Sequence, residues 1–218
     1  NKERSSAIII TAMQKEHADQ LEALQRIVFP SLAEEELLHA EQYRKHVDIF
    51  SQGQFVALDG DKVVGATSTI RYHFDINKQE NHTFIEMMAG GWFTTHEPNG
   101  DWLYGMDLSV NPGYRRKGIA KALYKKRIEL CKQIGLKGQM TVGMLKGYDK
   151  VRNEMSVDDY YNKVKNHDLF YPTVSVQEKL GFEIVGLMKD YLNDPTCGNA
   201  GAVIVMEAKP PSPKGGQE

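Results

Sequence analysis

The sequence predicts an α/β (α+β) chain in which a mixed, mostly antiparallel central sheet is flanked by helices. Three observations carry this. Asp59-Gly60 separates two strand-like runs, "GQFVALD" and "KVVGATSTIRYHFD", which is a hairpin signal. A strand, a glycine-bearing turn and an amphipathic stretch follow one another from 101 to 134 and lead into another strand, one βαβ unit. The last strand-like runs, "FEIVGLMKDYL" and "AGAVIVMEA", follow each other with only the turn-like stretch "NDPTCGN" between them.

Taken in order, "AIIITAM" (7–13) reads as a buried strand. Residues 14–29 read as a helix with Leu21, Leu24, Ile27 and Val28 on one stripe, stopped at Pro30. Ser31 and Glu34 form an S-x-x-E capping box, which predicts a second helix over 32–50. The hairpin covers 53–75. A Gly pair and a Pro-Asn-Gly turn make 76–100 a short helix or irregular segment near 82–90, then a loop.

Residues 101–110 read as a strand broken by Pro112 and Gly113. The helix after it, 118–134, places Ile119, Ala122, Leu123, Leu130 and Ile134 on one face and stops at Gly135. A strand over 137–145 precedes a helical insertion at about 144–171, in which Ser156 caps a helix through Asp159. Pro172 opens a further helix that ends at Gly181. One domain is expected over 5–208, with 209–218 a disordered Pro/Gly/polar tail.

Bulk properties exclude several classes. The chain has 218 residues, 41% hydrophobic and 26% charged, with net charge −2 and a pI near 6.4. It carries no overall basic field, so nucleic acid is not the expected partner. No apolar run approaches the roughly 20 residues of a membrane span. Cys131 and Cys197 match no CxxC spacing, which suggests a reduced, cytoplasmic protein. His73, His82 and His96 have no metal-ligand spacing, so no metal site is expected.

The chemistry concentrates in "VNPGYRRKGIAKALY" (110–124). A helix N-terminus offers unpaired N–H groups and a partial positive charge, a ready site for phosphate. Gly118 and Ala120 allow close approach, and Arg115, Arg116 and Lys117 add charge. The stretch lacks the GK[ST] of a Walker loop and the G-x-G-x-x-G of a dinucleotide fold. Taken alone, R-x-x-G-x-A also reads as a solvated basic turn; the strand before it and the amphipathic helix after it favour the anion site.

"LYGMDLSVNPGYRRKGIAKALY" resembles motif A of the GNAT N-acetyltransferase superfamily, and "QEKLGFEIVG" resembles its motif B. Within that superfamily the chain is similar to the acetyltransferase-like domain that some bacterial proteins carry ahead of a carbon–nitrogen hydrolase. "FSQGQFVALDGDKVVG", "HEPNGDWLYG", "LKGYDK" and "LFYPTVSVQEKLGF" carry that likeness, and 218 residues leave no room for the hydrolase. The resemblance implies acetyl-CoA as donor. Main-chain N–H groups of Arg116, Lys117, Gly118, Ile119, Ala120 and Lys121 would hold the pyrophosphate, with Arg115 adding charge. Leu108 and Val110 would bond the pantetheine arm where two central strands splay, and the Leu108 N–H would meet the developing oxyanion.

Asp107 is the candidate general base; strand alternation puts it on the face opposite Leu108. A structural carboxylate is the other reading of it. Many family members have a Tyr four residues before the Gly of "GF", where this chain has Gln177, and Phe170 stands near the place of the usual Asn. Tyr171 and Tyr191 are candidate acids in its place, and a water-mediated or acid-free mechanism is also open. Trp92, Phe93, Tyr160 and Tyr161 line an acceptor pocket or belong to the core. The insertion is expected to be ordered over the acceptor side and to restrict the acceptor to a small-molecule amine. The expected function is acetyl-CoA-dependent N-acyl transfer by direct attack on the thioester; the alternative is a catalytically lapsed acyl-CoA-binding module. An exposed final strand could pair in a homodimer.

Overall fold

The computed structural model describes residues 7–78, 80–169 and 177–208. The chain opens with β1 (Ile9–Ala12), α1 (Ala18–Val28) and α2 (Ala40–Phe50). The hairpin β2 (Phe55–Asp59) and β3 (Lys62–Tyr72) follows, turning at Gly60 with φ 58°. Next come the single turn α3 (Phe84–Met87), β4 (Trp102–Val110), α4 (Ile119–Ile134) and β5 (Gly138–Met144). α5 (Val157–Lys165), β6 (Glu183–Met188) and β7 (Gly201–Glu207) complete it. The strands form one sheet in the order β1-β2-β3-β4-β5-β7-β6. Among the described strands only β4 and β5 are parallel, joined by α4 as the expected βαβ unit.

Helices cover both faces of the sheet. Leu21 and Leu24 of α1 and Tyr43 of α2 share the main core with Tyr104 and Met106 of β4. On the other face Leu130 and Cys131 of α4 pack on Leu103, and Ile119 and Leu123 pack on Ala57 and Val64. Each such aliphatic side chain contributes about 1.5–3 kcal/mol by leaving water, which drives both amphipathic stripes onto the sheet.

The helix expected over 32–50 begins only at Ala40. Ser31 does not cap it; its Oγ donates to Asp194 at 2.9 Å, and Glu34 pairs with Arg26. The cap is instead His39–Gln42, with the His39 N–H donating to Gln42 Oε1 at 2.9 Å. Burial of Leu37 and Leu38 between the two segments outweighs the local signal. The expectation of an exposed final strand is also corrected: β7 lies inside the sheet, and the edges are β1 and β6. The helix predicted from Pro172 lies largely outside the described residues, which resume with helical 177–179 and Gly181 at φ 104°. The 209–218 tail also lies outside them.

The insertion is anchored. Ser156 accepts from the Asp159 N–H at 3.1 Å and starts α5. Tyr160, Tyr161 and Val164 enter the main core, and the Tyr160 hydroxyl donates to the Lys146 carbonyl at 2.8 Å. Phe93 is buried against His46, with ring centroids 3.5 Å apart, while Trp92 is exposed. These four aromatics stay out of the cleft described next, three of them as core.

Candidate active site

The site is made by β4. It pairs with β5 only through Leu103–Gly105 against Gln139–Thr141; past that point the two strands part. Opposite β3 it carries a bulge: Asp107 faces Ser68 and Gly105 faces Thr69, leaving Met106 as the extra residue. A bulge sets two successive side chains on one face. Met106 and Asp107 both look toward α1 and α2, while Leu103 and Gly105 before it, and Leu108 and Val110 after it, look toward α4. Asp107 and Leu108 therefore lie on opposite faces, as alternation predicts.

The backbone follows the same logic. The Asn111 N–H donates to the Val64 carbonyl of β3 at 2.8 Å. N–H groups alternate sides along a strand, so those of Val110 and Leu108 point into the opening. A cleft of ≈ 630 Å³ runs through it. Gln25, Asp107 and Tyr191 line it on the α1/α2 side, and Tyr124, Arg127 and Gln177 on the α4 side. Arg115, Lys146, Asp149 and Lys150 stand at its mouth.

The loop at the mouth matches an anion site. Arg116 at φ 63° and Gly118 at φ 76° take left-handed conformations that turn the chain sharply into α4. Space around Gly118 is open, and no side chain caps the helix. The Ala122 N–H makes the first helical bond, to the Gly118 carbonyl, so the N–H groups of Ile119, Ala120 and Lys121 have no partner within the helix. Arg115, Arg116, Lys117 and Lys121 are exposed; the Ile119 side chain is buried in the core, which leaves its main chain for binding. Tyr114 props the loop, its hydroxyl donating to Asp59 at 2.6 Å. Unpaired N–H groups of this kind, beside exposed cations, are what an anionic group binds.

Asp107 is buried and held by donors. Gln25 Nε2 donates to its Oδ2 at 3.0 Å, with the amide oriented by the Leu38 N–H bonding Gln25 Oε1. Ser109 Oγ lies 3.1 Å from Oδ1 and 3.2 Å from Oδ2, and the Tyr43 hydroxyl 3.5 Å from Oδ2. Burial raises its carboxyl to about 6, against the opposing pull of these donors.

Across the opening, Gln177 Nε2 donates to the Tyr124 hydroxyl at 3.1 Å. The Arg127 guanidinium lies 5.0 Å from the Tyr124 ring centroid. Arg127 is 1% exposed, and its Nε and Nη2 have no hydrogen-bond partner among the described residues. Gly105 makes room for it: a Cβ there would occupy the space of the guanidinium and of the Thr141 hydroxyl. At the mouth, burial and Arg115 lower the Lys146 ammonium below its usual range.

Of the candidate acids, Tyr191 lines the cleft, but its hydroxyl bonds Tyr104 at 2.7 Å, and Tyr104 in turn bonds His82 Nε2 at 2.9 Å. Burial holds the Tyr191 phenol well above its usual range. Tyr171 lies outside the described residues. Cys131 and Cys197 are buried thiols raised to about 12 and about 11, which suits packing rather than nucleophilic chemistry. Sequence reasoning passed over Tyr124, Arg127 and Gln25. Arg127 left a signal: it sits four residues after Leu123 and three before Leu130, a charged residue on the buried stripe of α4.

The sequence pattern of the acetyltransferase (GNAT) family matches residues 18–145. Two proteins of Bacillus subtilis (strain 168) are each 30% identical to the chain. "Uncharacterized N-acetyltransferase YkwB" aligns over 192 residues, 88% of this chain and 84% of that protein. "Probable hydrolase YhcX" aligns over 190 residues, 87% of this chain, which spans only 36% of that protein. Among solved structures, the loading GNATL domain of CurA from Lyngbya majuscula superposes with a TM-score of 0.78 at 19% identity, over 93% of this chain and 98% of that one. The GphF GNAT-like decarboxylase in complex with isobutyryl-CoA gives 0.77 at 20% identity, over 92% and 100%. The last two likenesses show the fold. The matched pattern and the identity to YkwB, on a sheet opened between its two parallel strands, show that the chain belongs to the acetyltransferase (GNAT) family, enzymes whose cosubstrate is acetyl-CoA.

Proposed function

We propose that the protein transfers the acetyl group of acetyl-CoA to the amine of a small molecule by direct attack on the thioester. One observation carries this reading: β4 and β5 part beyond Gly105 and Thr141, with the N–H groups of Leu108 and Val110 facing the gap and the 115–121 loop at its mouth. The pyrophosphate takes the N–H groups of 116–121. The pantetheine arm lies along Leu108–Val110 as an added strand. The Leu108 N–H then meets the thioester carbonyl and stabilises charge as it develops there.

Asp107 and Tyr124 divide the proton work between the two faces. Asp107, on the α1/α2 side and poised near neutrality, takes the proton of the attacking amine. Tyr124, on the α4 side, gives one to the departing thiolate. Gln177 donates to the Tyr124 oxygen and so leaves its O–H free to donate outward. Asp149 and Lys150, at the start of the insertion, stand at the mouth and favour a small acceptor over a protein tail.

The lapsed acyl-CoA-binding module is the second reading, favoured by the amide of Gln177 at the position where many relatives have Tyr. Calorimetry tests what the two share: changing Arg116 and Gly118 together to Glu should cost acetyl-CoA roughly 100-fold or more in affinity, and unchanged affinity rejects the anion site. Coenzyme A thiol release with a broad amine panel separates them. Release above the hydrolysis background supports the enzyme; tight binding without turnover supports the module.

A further inference from the structure

Among the described residues Arg127 is a cation without a paired counter-ion. It is 1% exposed, yet among the described residues it makes no hydrogen bond or ion pair, and two of its nitrogens are sealed from solvent with no partner. A guanidinium carries five donors and does not deprotonate in proteins. Burying it unpaired is costly, and a Met or Leu on the same stripe of α4 would fill the space without that cost. Asp107, the carboxylate that interacts with it electrostatically, lies toward the opposite face and spends its oxygens on Gln25, Ser109 and Tyr43. The Tyr124 ring at 5.0 Å is its main favourable neighbour.

Its place in the cleft says what would pair with it. The guanidinium lies against Gly105 and Thr141, the last pair of the β4–β5 ladder, so it forms the floor of the opening on the α4 side. Leu108, where the thioester carbonyl is read to sit, is three residues up the strand, roughly 7–10 Å away. That depth suits an acyl chain of a few carbons ending at Arg127. A planar guanidinium selects a carboxylate by charge and by shape.

We infer that the cleft selects acyl donors whose acyl chain ends in a carboxylate, short dicarboxylic half-thioesters of coenzyme A, with Arg127 as the counter-ion. The inference rests on the coenzyme A reading of the cleft. Acetyl-CoA fits the same path and leaves the guanidinium unpaired.

Calorimetry without any acceptor tests this with thioesters matched in length: succinyl-CoA against butyryl-CoA, and malonyl-CoA against propionyl-CoA, with coenzyme A as reference. The carboxylated member of at least one pair should bind the wild type roughly tenfold or more tightly. In R127M that ratio should fall to near one with butyryl-CoA binding little changed, and the unliganded variant should melt at a higher temperature than wild type. Ratios near one in the wild type overturn the inference, as does a preference that survives in R127M. Should R127M not fold, the wild-type ratios decide alone. Coenzyme A that does not bind at all rejects the donor-site reading itself; coenzyme A that binds beside equal thioester affinities rejects only the carboxylate subsite.

Discussion

Gln177 donates its side-chain amide to the hydroxyl of Tyr124 at 3.1 Å, joining the residue four before the Gly181-Phe182 turn to a tyrosine on α4. If Tyr124 protonates the departing thiolate, Y124F should lower turnover about 10- to 100-fold, the low end for an acid because the thiol leaves readily. Affinity for coenzyme A should hold within about twofold. Q177A should give a smaller loss in the same sense. Steady-state kinetics beside calorimetry check this, and equal turnover in Y124F removes the assignment.

If Asp107 is the general base, activity should depend on pH through its carboxyl. Its carboxyl is raised from 3.8 to about 6 by burial, so turnover should rise with pH through about 6 as the base forms. D107N should lose that limb and roughly 100-fold in rate. The folded pKa lies above the unfolded one, so the stability Asp107 contributes is complete below about pH 4 and is lost as pH rises to about 6. Denaturant melts should show wild type losing up to about 3 kcal/mol relative to D107N across that window. A difference that stays flat contradicts the burial argument.

His46 works with the opposite sign. It is fully buried, stacked on Phe93, with Nε2 donating to the Gly91 carbonyl at 2.7 Å and Nδ1 without a partner among the described residues. Burial pushes its pKa down from 6.5 to about 4. The neutral ring therefore supports the fold above about pH 6.5, and that support is lost as pH falls to about 4. Ring resonances in NMR should stay those of neutral imidazole at pH 5. H46Q should flatten the acid side of the stability curve. Because Asp107 and His46 titrate in overlapping windows with opposed slopes, the single variants show what the wild-type curve partly cancels.

Arg116 separates loop geometry from ligand binding. A left-handed non-glycine residue costs about 1–2 kcal/mol, and Arg116 sits at φ 63°. R116G should raise stability by up to about 1 kcal/mol while weakening acetyl-CoA several-fold through the lost charge. Chemical denaturation and calorimetry read the two effects separately. A solvated basic turn with no ligand would show the first without the second.

The fold class, the βαβ unit, α4 with its Gly135 stop and the glycine-bearing turn that leads into it are all legible in the sequence, because each rests on contacts within a few residues: hydrophobic period, turn glycines and a helix N-terminus. The cap of α2 was misread as Ser31 because Asp194, far along the chain, claims the Ser31 hydroxyl. Tertiary structure alone decided the chemistry of the cleft. Which face Asp107 shares with Met106 depends on a bulge against β3, and its raised pKa depends on burial beneath α1 and α2. Where β4 and β5 part is a property of two strands brought together by a helix, and only there do Gly105, Tyr124, Arg127 and Gln177 meet. Local pattern sets the backbone path; burial, desolvation and the partners a charge lacks arise only when distant segments close around it.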